Sequence, residues 1–277
     1  MPAILGGEFR RLREAQGITQ RHASEVIHFD HSKISKLESG QLGWQDGDVR
    51  KLLHLYRVPD RDHPRYLAWA ERVSHSWWPD TCGAAQVAGL QSLLDLARPQ
   101  QIRRYANSVI PDLLQTRAYA RATLSGTHSD RSGIDVEQEI DTRLRTQRSI
   151  LAKDGPTLWI LIEEAALLRP IVESTVWGEQ LDHLIRVAQR PNIVVQILTH
   201  GSCGPAQIDH SFTYFRFQDR RLPDLACVRL LTGTHCHDQP HETERYRETF
   251  VPLACLAMRP TESIAHLTAL RHTVLGS

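Results

Sequence analysis

The chain has 277 residues, 41% of them hydrophobic, with 33 Lys and Arg against 32 Asp and Glu and a formal net charge of +1. That length supports a packed core and exceeds the needs of one small helical module, so two domains are expected. The charge balance excludes a globally basic polyanion binder, and any affinity for nucleic acid must come from a local patch. Residues 1–60 carry nine Lys and Arg against eight Asp and Glu, which argues for weak non-specific binding. The start, MPAILGGEFRRLREAQ, reads as an amphipathic helix with internal charges and not as a secretory signal. No apolar stretch approaches the roughly 20 residues a bilayer span needs, so no membrane partner is expected. The five cysteines, Cys82, Cys203, Cys227, Cys236 and Cys255, are odd in number and scattered. They are expected to be reduced thiols of a cytoplasmic protein.

Residues 1–70 read as helix throughout. Leu5, Phe9 and Leu12 recur at i, i+4 and i+7, the stripe of one buried face. Gly17 is placed to end that helix, because a helix C-terminus favours a residue that tolerates positive φ. Thr19 can cap a second helix with Ala23, Val26 and Ile27 inward, and Asp30 a third with Ile34 and Leu37 inward. Gly40 stops the third. A fourth helix is expected over about Asp48–Tyr56 and a fifth over about Arg61–Ser74, after Pro59. The segment SWWPDTCG (76–83) reads as an interdomain joint, separating a domain of residues 1–75 from one of residues 84–277.

The second part mixes helix and strand. Residues 88–124 and 134–152 read as helices, TLWILI (157–162) as a buried strand, and 174–190 as an amphipathic helix. NIVVQIL (192–198), SFTYFRF (211–217) and LACVRLL (225–231) carry the branched and aromatic residues of strands, and 242–258 closes as a helix. This order predicts a mainly α chain with an α+β C-terminal domain.

The N-terminal pieces have the spacing of a helix-turn-helix, in which two short helices cross at a fixed angle and the second lies in the major groove. GITQ (17–20) opens the unit and Ala23 sits where the helices cross. A turn follows at His28–Asp30, and then HSKISKLESG (31–40). With Ile34 and Leu37 inward, His31, Ser32 and Lys36 point outward and Lys33 lies close to that face. Lys, Ser and neutral His can all bond base edges or phosphate. These residues resemble the XRE family, whose members carry a helix-turn-helix of the phage Cro/CI-repressor type. The resemblance implies a lambda-repressor-like five-helix bundle that binds an operator in double-stranded DNA. It also implies that Gln20 touches a phosphate and that His31, Ser32, Lys33 and Lys36 form the reading face, with Ser35 near the backbone. The DNA-contacting set is accordingly Thr19, Gln20, Arg21, Asp30, His31, Ser32, Lys33, Ser35 and Lys36. The same resemblance implies an ion pair between Arg13 and Glu38. Expected to be partly exposed, that pair would contribute about 1 kcal/mol or less. The loop QLGWQDGD (41–48) departs from the family in carrying Asp46 and Asp48 where basic residues are common, so no backbone clamp is expected there.

Further stretches resemble an actinobacterial, antitoxin-like group of XRE regulators whose C-terminal domain has no assigned chemistry: VIPDLLQTRAYARATL (109–124), RLRTQRSIL (143–151), LWILIEEAALLRP (158–170), LDHLIRVAQRPNIVVQILT (181–199) and TERYRETF (243–250). That resemblance implies a small partner protein encoded alongside. Other signals are weaker. Glu163 and Glu164 are adjacent carboxylates, but neighbours on an extended chain face opposite ways, and one is expected to cap or to pair with Arg169. Gln115, Glu164 and Arg169 flank the first apolar strand as a candidate pocket. His200, Cys203, His210, Cys227, His235, Cys236, His237 and His241 are rich in metal-ligand types but lack a zinc-binding spacing. GSCGPAQ (201–207) is neither a Walker loop nor a dinucleotide fingerprint. The expectation is a dimeric transcriptional regulator that is not an enzyme and needs no cofactor or metal. The alternatives are an antitoxin-like protein masking a small partner, or a metal- or redox-sensing regulator using the C-terminal His/Cys cluster.

Overall fold

Helical spacing of apolar residues builds the N-terminal part. Helix α1 (Pro2–Ala15) buries Ile4, Leu5 and Phe9; α2 (Gln20–Val26) buries Ala23; α3 (His31–Glu38) buries Ile34 and Leu37. Helix α4 (Asp46–Leu55) buries Val49, Leu52 and Leu53, and α5 (His63–Ser74) buries Tyr66, Trp69 and Ala70. Phe9 lies at the centre, its ring centroid 4.3 Å from Trp44 and 5.8 Å edge-on from Tyr66. The computed structural model describes residues 2–28, 30–74, 99–127, 136–202, 208–220, 222–230 and 233–275, so the expected joint at 76–83 lies outside the described residues. Gly17 and Gly40 take φ of +65° and +74°, the left-handed values that end α1 and α3. Two local expectations change. Helix α4 starts at Asp46, and a short 3₁₀ turn over Asp60–Asp62 precedes α5. Asp30 occupies the N-cap of α3 with extended backbone, but its side chain makes no capping bond.

The C-terminal part is an α+β domain. It runs β1 (Pro99–Ala106), α6 (Arg117–Thr127), α7 (Val136–Ile150), β2 (Thr157–Glu163), α8 (Glu164–Leu168), α9 (Ser174–Ala188), β3 (Ile193–Leu198), β4 (Phe212–Phe217), β5 (Leu225–Leu230), β6 (Gly233–His237), α10 (Pro240–Leu256) and α11 (Pro260–Leu275). The six strands form one sheet in the order β3-β2-β1-β4-β5-β6. Strands β1, β2 and β3 are parallel, while β1–β4, β4–β5 and β5–β6 are antiparallel. Alternation along the strands separates two faces. Leu158, Ile160 and Ile162 of β2, with Val195 and Ile197 of β3, pack with Leu181 and Leu184 of α9 and Leu267 of α11. Tyr105, Leu161, Leu198 and Phe212 pack with Phe250 and Leu253 of α10 on the other side.

The structure corrects three expectations here. Residues 99–106, read as helix, form strand β1 near the middle of the sheet, because their two arginines find partners there. The Arg103 guanidinium lies 5.7–5.8 Å from the ring centres of Trp159, Tyr214 and Phe250, and Arg104 donates to Thr213 Oγ1 at 2.6 Å. Burial lowers both guanidinium pKa values from the ordinary one. Strand β6 and helix α11 extend the expected order. The cysteines are not all free: Cys227 and Cys236 stand opposite each other on β5 and β6 and form a disulfide, while Cys255 is free and exposed.

Close approach of α1 to the end of α3 depends on Gly6. A Cβ there would lie 2.5 Å from the carbonyl oxygens of both Leu37 and Glu38, which are backbone atoms that cannot rotate away. Gly6→Ala should therefore destabilise the helical domain by about 1–3 kcal/mol, the usual effect of overpacking. Denaturant unfolding checks this, and an unchanged midpoint would show that α1 can shift freely against α3.

Candidate nucleic-acid interface

The helix-turn-helix is held in shape from within. Thr19 Oγ1 caps α2 by accepting the His22 N–H at 3.2 Å. His28 takes φ 58° in the turn between α2 and α3, a left-handed value that a β-branched residue would disfavour. Below α3, Arg13 grips Glu38 through two bonds, Nε to Oε1 at 2.5 Å and Nη2 to Oε2 at 3.0 Å. Its third nitrogen donates to the Ile18 carbonyl at 2.7 Å, and Gln20 Nε2 donates to Glu38 Oε2 at 2.8 Å. One carboxylate thus ties α1 and the start of α2 to the end of α3. The Arg13 and Glu38 side chains are only 8% and 4% exposed, so the expectation of a partly exposed pair is corrected. The hydrogen bond to Glu38 raises the Arg13 pKa, and burial, helped by the Glu38 charge, pushes the Tyr56 hydroxyl well above its ordinary value.

The exposed surface is narrower than the sequence implied. Ser32, Ser35 and Lys36 of α3 are exposed, as are Thr19, Arg21 and Asp30. His31 opens α3, and its side chain lies outside the described part. Gln41, also exposed, is held beside Lys36 by its N–H donating to the Lys36 carbonyl at 2.8 Å. Arg21 pairs along its own helix with Glu25 at 3.3 Å. Two residues depart from the expected role. Gln20 is half-buried and spends one amide hydrogen inward on Glu38, which leaves only the other for an outside partner. Lys33 turns away from the exposed face of α3 to meet Asp48 of α4 at 2.7 Å, with the two side chains only 12% and 8% exposed. The acidic loop read as a missing clamp therefore supplies an internal anchor for α3. Sequence spacing missed this because Lys33 lies at the edge of the helical stripe, where a long side chain can turn either way.

Of the candidate C-terminal pocket residues, Gln115 and Glu164 are each engaged by other partners. Gln115 is buried and spans the Ile110 carbonyl and Arg143, with Nε2 donating to the former at 2.8 Å and Oε1 accepting from the latter at 3.1 Å. Glu164 accepts the His200 N–H at 3.2 Å and lies 3.5 Å from His266 Nε2, not beside Arg169, which is exposed. Glu163 accepts a short hydrogen bond from the Tyr105 hydroxyl. A polar network that composition did not announce surrounds Gln115. Gln147 Nε2 bonds the Asp112 and Gln115 carbonyls, Gln180 bonds Leu114 O and Thr116 N, and Arg143 pairs with buried Glu139 at 2.7 Å. Each of these glutamines satisfies backbone groups of the irregular segment 110–116, a structural use of buried polar side chains. Of the His/Cys cluster, Cys227 and Cys236 are bonded to each other, His237 pairs with Glu242 at 3.2 Å, and Cys203 lies outside the described residues.

Two families match the chain. A helix-turn-helix domain family matches residues 4–66, spanning α1 to α4 and the start of α5. A domain of unknown function (DUF5753) matches residues 91–269, well over half of the chain. The chain belongs to the DUF5753 family. Its helix-turn-helix and its DUF5753 domain together agree with the organisation of an XRE-type regulator. No curated protein and no solved structure matches the chain. Among the described residues of this DUF5753 protein, no helix is long and apolar enough to cross a membrane.

Glu38→Ala should be far more damaging than an exposed ion pair would allow. It strands the Arg13 guanidinium and the Gln20 amide together, and removing one partner of a buried pair typically costs about 3–5 kcal/mol. Thermal unfolding of the helical domain is the measurement. A loss of about 1 kcal/mol or less would mean that water reaches the pair.

Proposed function

We propose that this DUF5753 protein is a sequence-specific DNA-binding transcriptional regulator that lays α3 in the major groove of an operator. The observation that carries the reading is the row Ser32, Ser35 and Lys36. It is exposed along one side of a helix whose other side is locked by Ile34, Leu37, the Arg13–Glu38 pair and the Lys33–Asp48 pair. Rigid backing of this kind favours base reading, because a reading side chain discriminates only if its own position is settled. Occupancy of the operator blocks or recruits transcription, and a homodimer spans two half-sites about 34 Å apart. The DUF5753 domain acts as the dimerisation and effector- or partner-binding module and not as an enzyme. In support, Glu163 and Glu164, its adjacent carboxylates, are both engaged internally. An effector there shifts the regulator only by its differential affinity for two arrangements of the recognition helices.

A second reading, redox sensing, is favoured by the Cys227–Cys236 bond joining β5 to the edge strand β6. A thiol reductant would supply two electrons and two protons, break the S–S bond and leave two thiols, loosening β6 from β5. If this switch operates, Cys236→Ser and reductant-treated wild-type protein will share one altered operator affinity. Identical affinity in oxidised, reduced and variant protein would reject the reading.

For the main reading, Ser32→Ala and Lys36→Ala should each weaken specific operator binding by about 1–3 kcal/mol while the fold survives. Lys36→Ala should also reduce the salt dependence of binding if the ammonium meets a phosphate. Lys33→Ala is expected to behave differently and lower the thermal stability, because it leaves Asp48 buried and unpaired. Titration of an operator found by genome-wide site mapping, at fixed salt and then across a salt series, checks the Ser32 and Lys36 variants, and thermal unfolding checks the Lys33 variant. Full affinity in both the Ser32 and Lys36 variants would remove α3 as the reading helix.

A further inference from the structure

The end of α4 and the start of α5 meet at a sharp corner. Arg57 turns the chain with φ 55°, buried Val58 and Pro59 follow, and the 3₁₀ turn over Asp60–Asp62 leads into α5. The corner gathers His54, Asp60 and His63, one ligand atom of each lying within 4.8 Å of the other two. His54 Nδ1 is 4.0 Å and His63 Nε2 is 3.7 Å from Asp60 Oδ1, and the two imidazole rings meet edge-on at 4.7 Å. His63 is buried, and its Nε2 lies 2.8 Å from the Val58 carbonyl oxygen. The reading face of α3 does not involve this corner.

We propose that His54, Asp60 and His63 form a binding site for a borderline transition-metal dication of the zinc, cobalt or nickel class. Metal–nitrogen bonds of about 2.0–2.1 Å in tetrahedral geometry place ligand atoms roughly 3.3–3.4 Å apart. The observed 3.7 and 4.0 Å thus need to close by only a fraction of an ångström. Asp60 and His54 supply that movement, since their side chains are 89% and 69% exposed and free to rotate. Two imidazoles and one carboxylate select against magnesium and calcium, which take oxygen donors, and in favour of the imidazole-binding metals. Water completes the coordination of a three-ligand site of this kind. When His63 Nε2 takes a metal, the proton of the neutral ring moves to Nδ1, and the hydrogen bond to Val58 is lost. The bound ion would fasten the last turn of α4 to the first of α5 and stiffen the corner of the helical domain.

Full-length protein stripped with a chelator would be titrated with zinc chloride by calorimetry and with cobalt chloride by visible absorption. The expected result is one ion per chain, a ligand-field spectrum that includes nitrogen donors, and a zinc-dependent rise in melting temperature. His54→Ala and Asp60→Asn change exposed side chains, so both should keep the metal-free melting temperature. Each should weaken zinc binding at least about tenfold and abolish the zinc-dependent rise. No binding by the wild type overturns the proposal. So does wild-type affinity in both variants, and so does a site lost on substituting His235 and His237 instead.

Discussion

Arg13 and Glu38 meet beneath α3, and the N-terminal architecture depends on that meeting. Glu38 sits in the last turn of α3, Arg13 near the end of α1, and Gln20 at the start of α2, and all three share one buried carboxylate. Two charges removed from water gain only when their geometry is good and their remaining bonding capacity is filled. Both conditions hold, since Arg13 donates twice to Glu38 and once to the Ile18 carbonyl. Hydrophobic contacts such as Ala23 against its neighbours allow close crossing, but they are not directional. The fork of hydrogen bonds is directional, so it fixes the rotation of α3 as well as its distance from α1.

That constraint explains the arrangement around it. Fixing the rotation of α3 presents Ser32, Ser35 and Lys36 to solvent and turns Lys33 toward Asp48. Gly6 lets α1 approach the carbonyls of Leu37 and Glu38 closely enough for Arg13 to reach its partner. On the far side, Phe9 is wedged among Trp44, Tyr56 and Tyr66, so the same helix that carries Arg13 also carries the centre of the apolar core. Tyr66 in turn donates to buried Glu8 at 3.1 Å, linking α5 to α1 by a second buried polar contact. Burial raises the Tyr66 hydroxyl to about 12, which keeps it protonated as a donor.

The DUF5753 domain solves a different problem. Its central strand β1 carries adjacent arginines on opposite faces of the sheet. Arg103 lies within an aromatic cluster on one face, and Arg104 bonds Thr213 on the other. The segment 110–116 that follows β1 is partly buried around a 3₁₀ turn over Asp112–Leu114, and several of its backbone groups are satisfied by Gln115, Gln147 and Gln180. Polar side chains thus hold the turn that leads from β1 into α6, where a hydrophobic contact would leave carbonyls unpaired.

By itself, the sequence determined the five helices of the N-terminal part, the strands β2 to β5, helix α10 and the outward position of Ser32 and Lys36. Those features rest on local periodicity and on glycine, proline and capping residues, whose physics is complete within a few neighbours. Only the tertiary structure decided the rest. Residues 99–106 look helical because two arginines interrupt their apolar pattern, and only the aromatic cluster and Thr213 make them acceptable within a sheet. Lys33 and Gln20 look like surface donors until Asp48 and Glu38, 15 and 18 residues away, draw them inward. Cys227 and Cys236 look like scattered thiols until β5 and β6 pair in register. His54, Asp60 and His63 carry no metal-binding spacing because the turn at Arg57, not a sequence interval, brings them together. Each is a contact between side chains whose partners are set by how elements pack, and no local pattern encodes it.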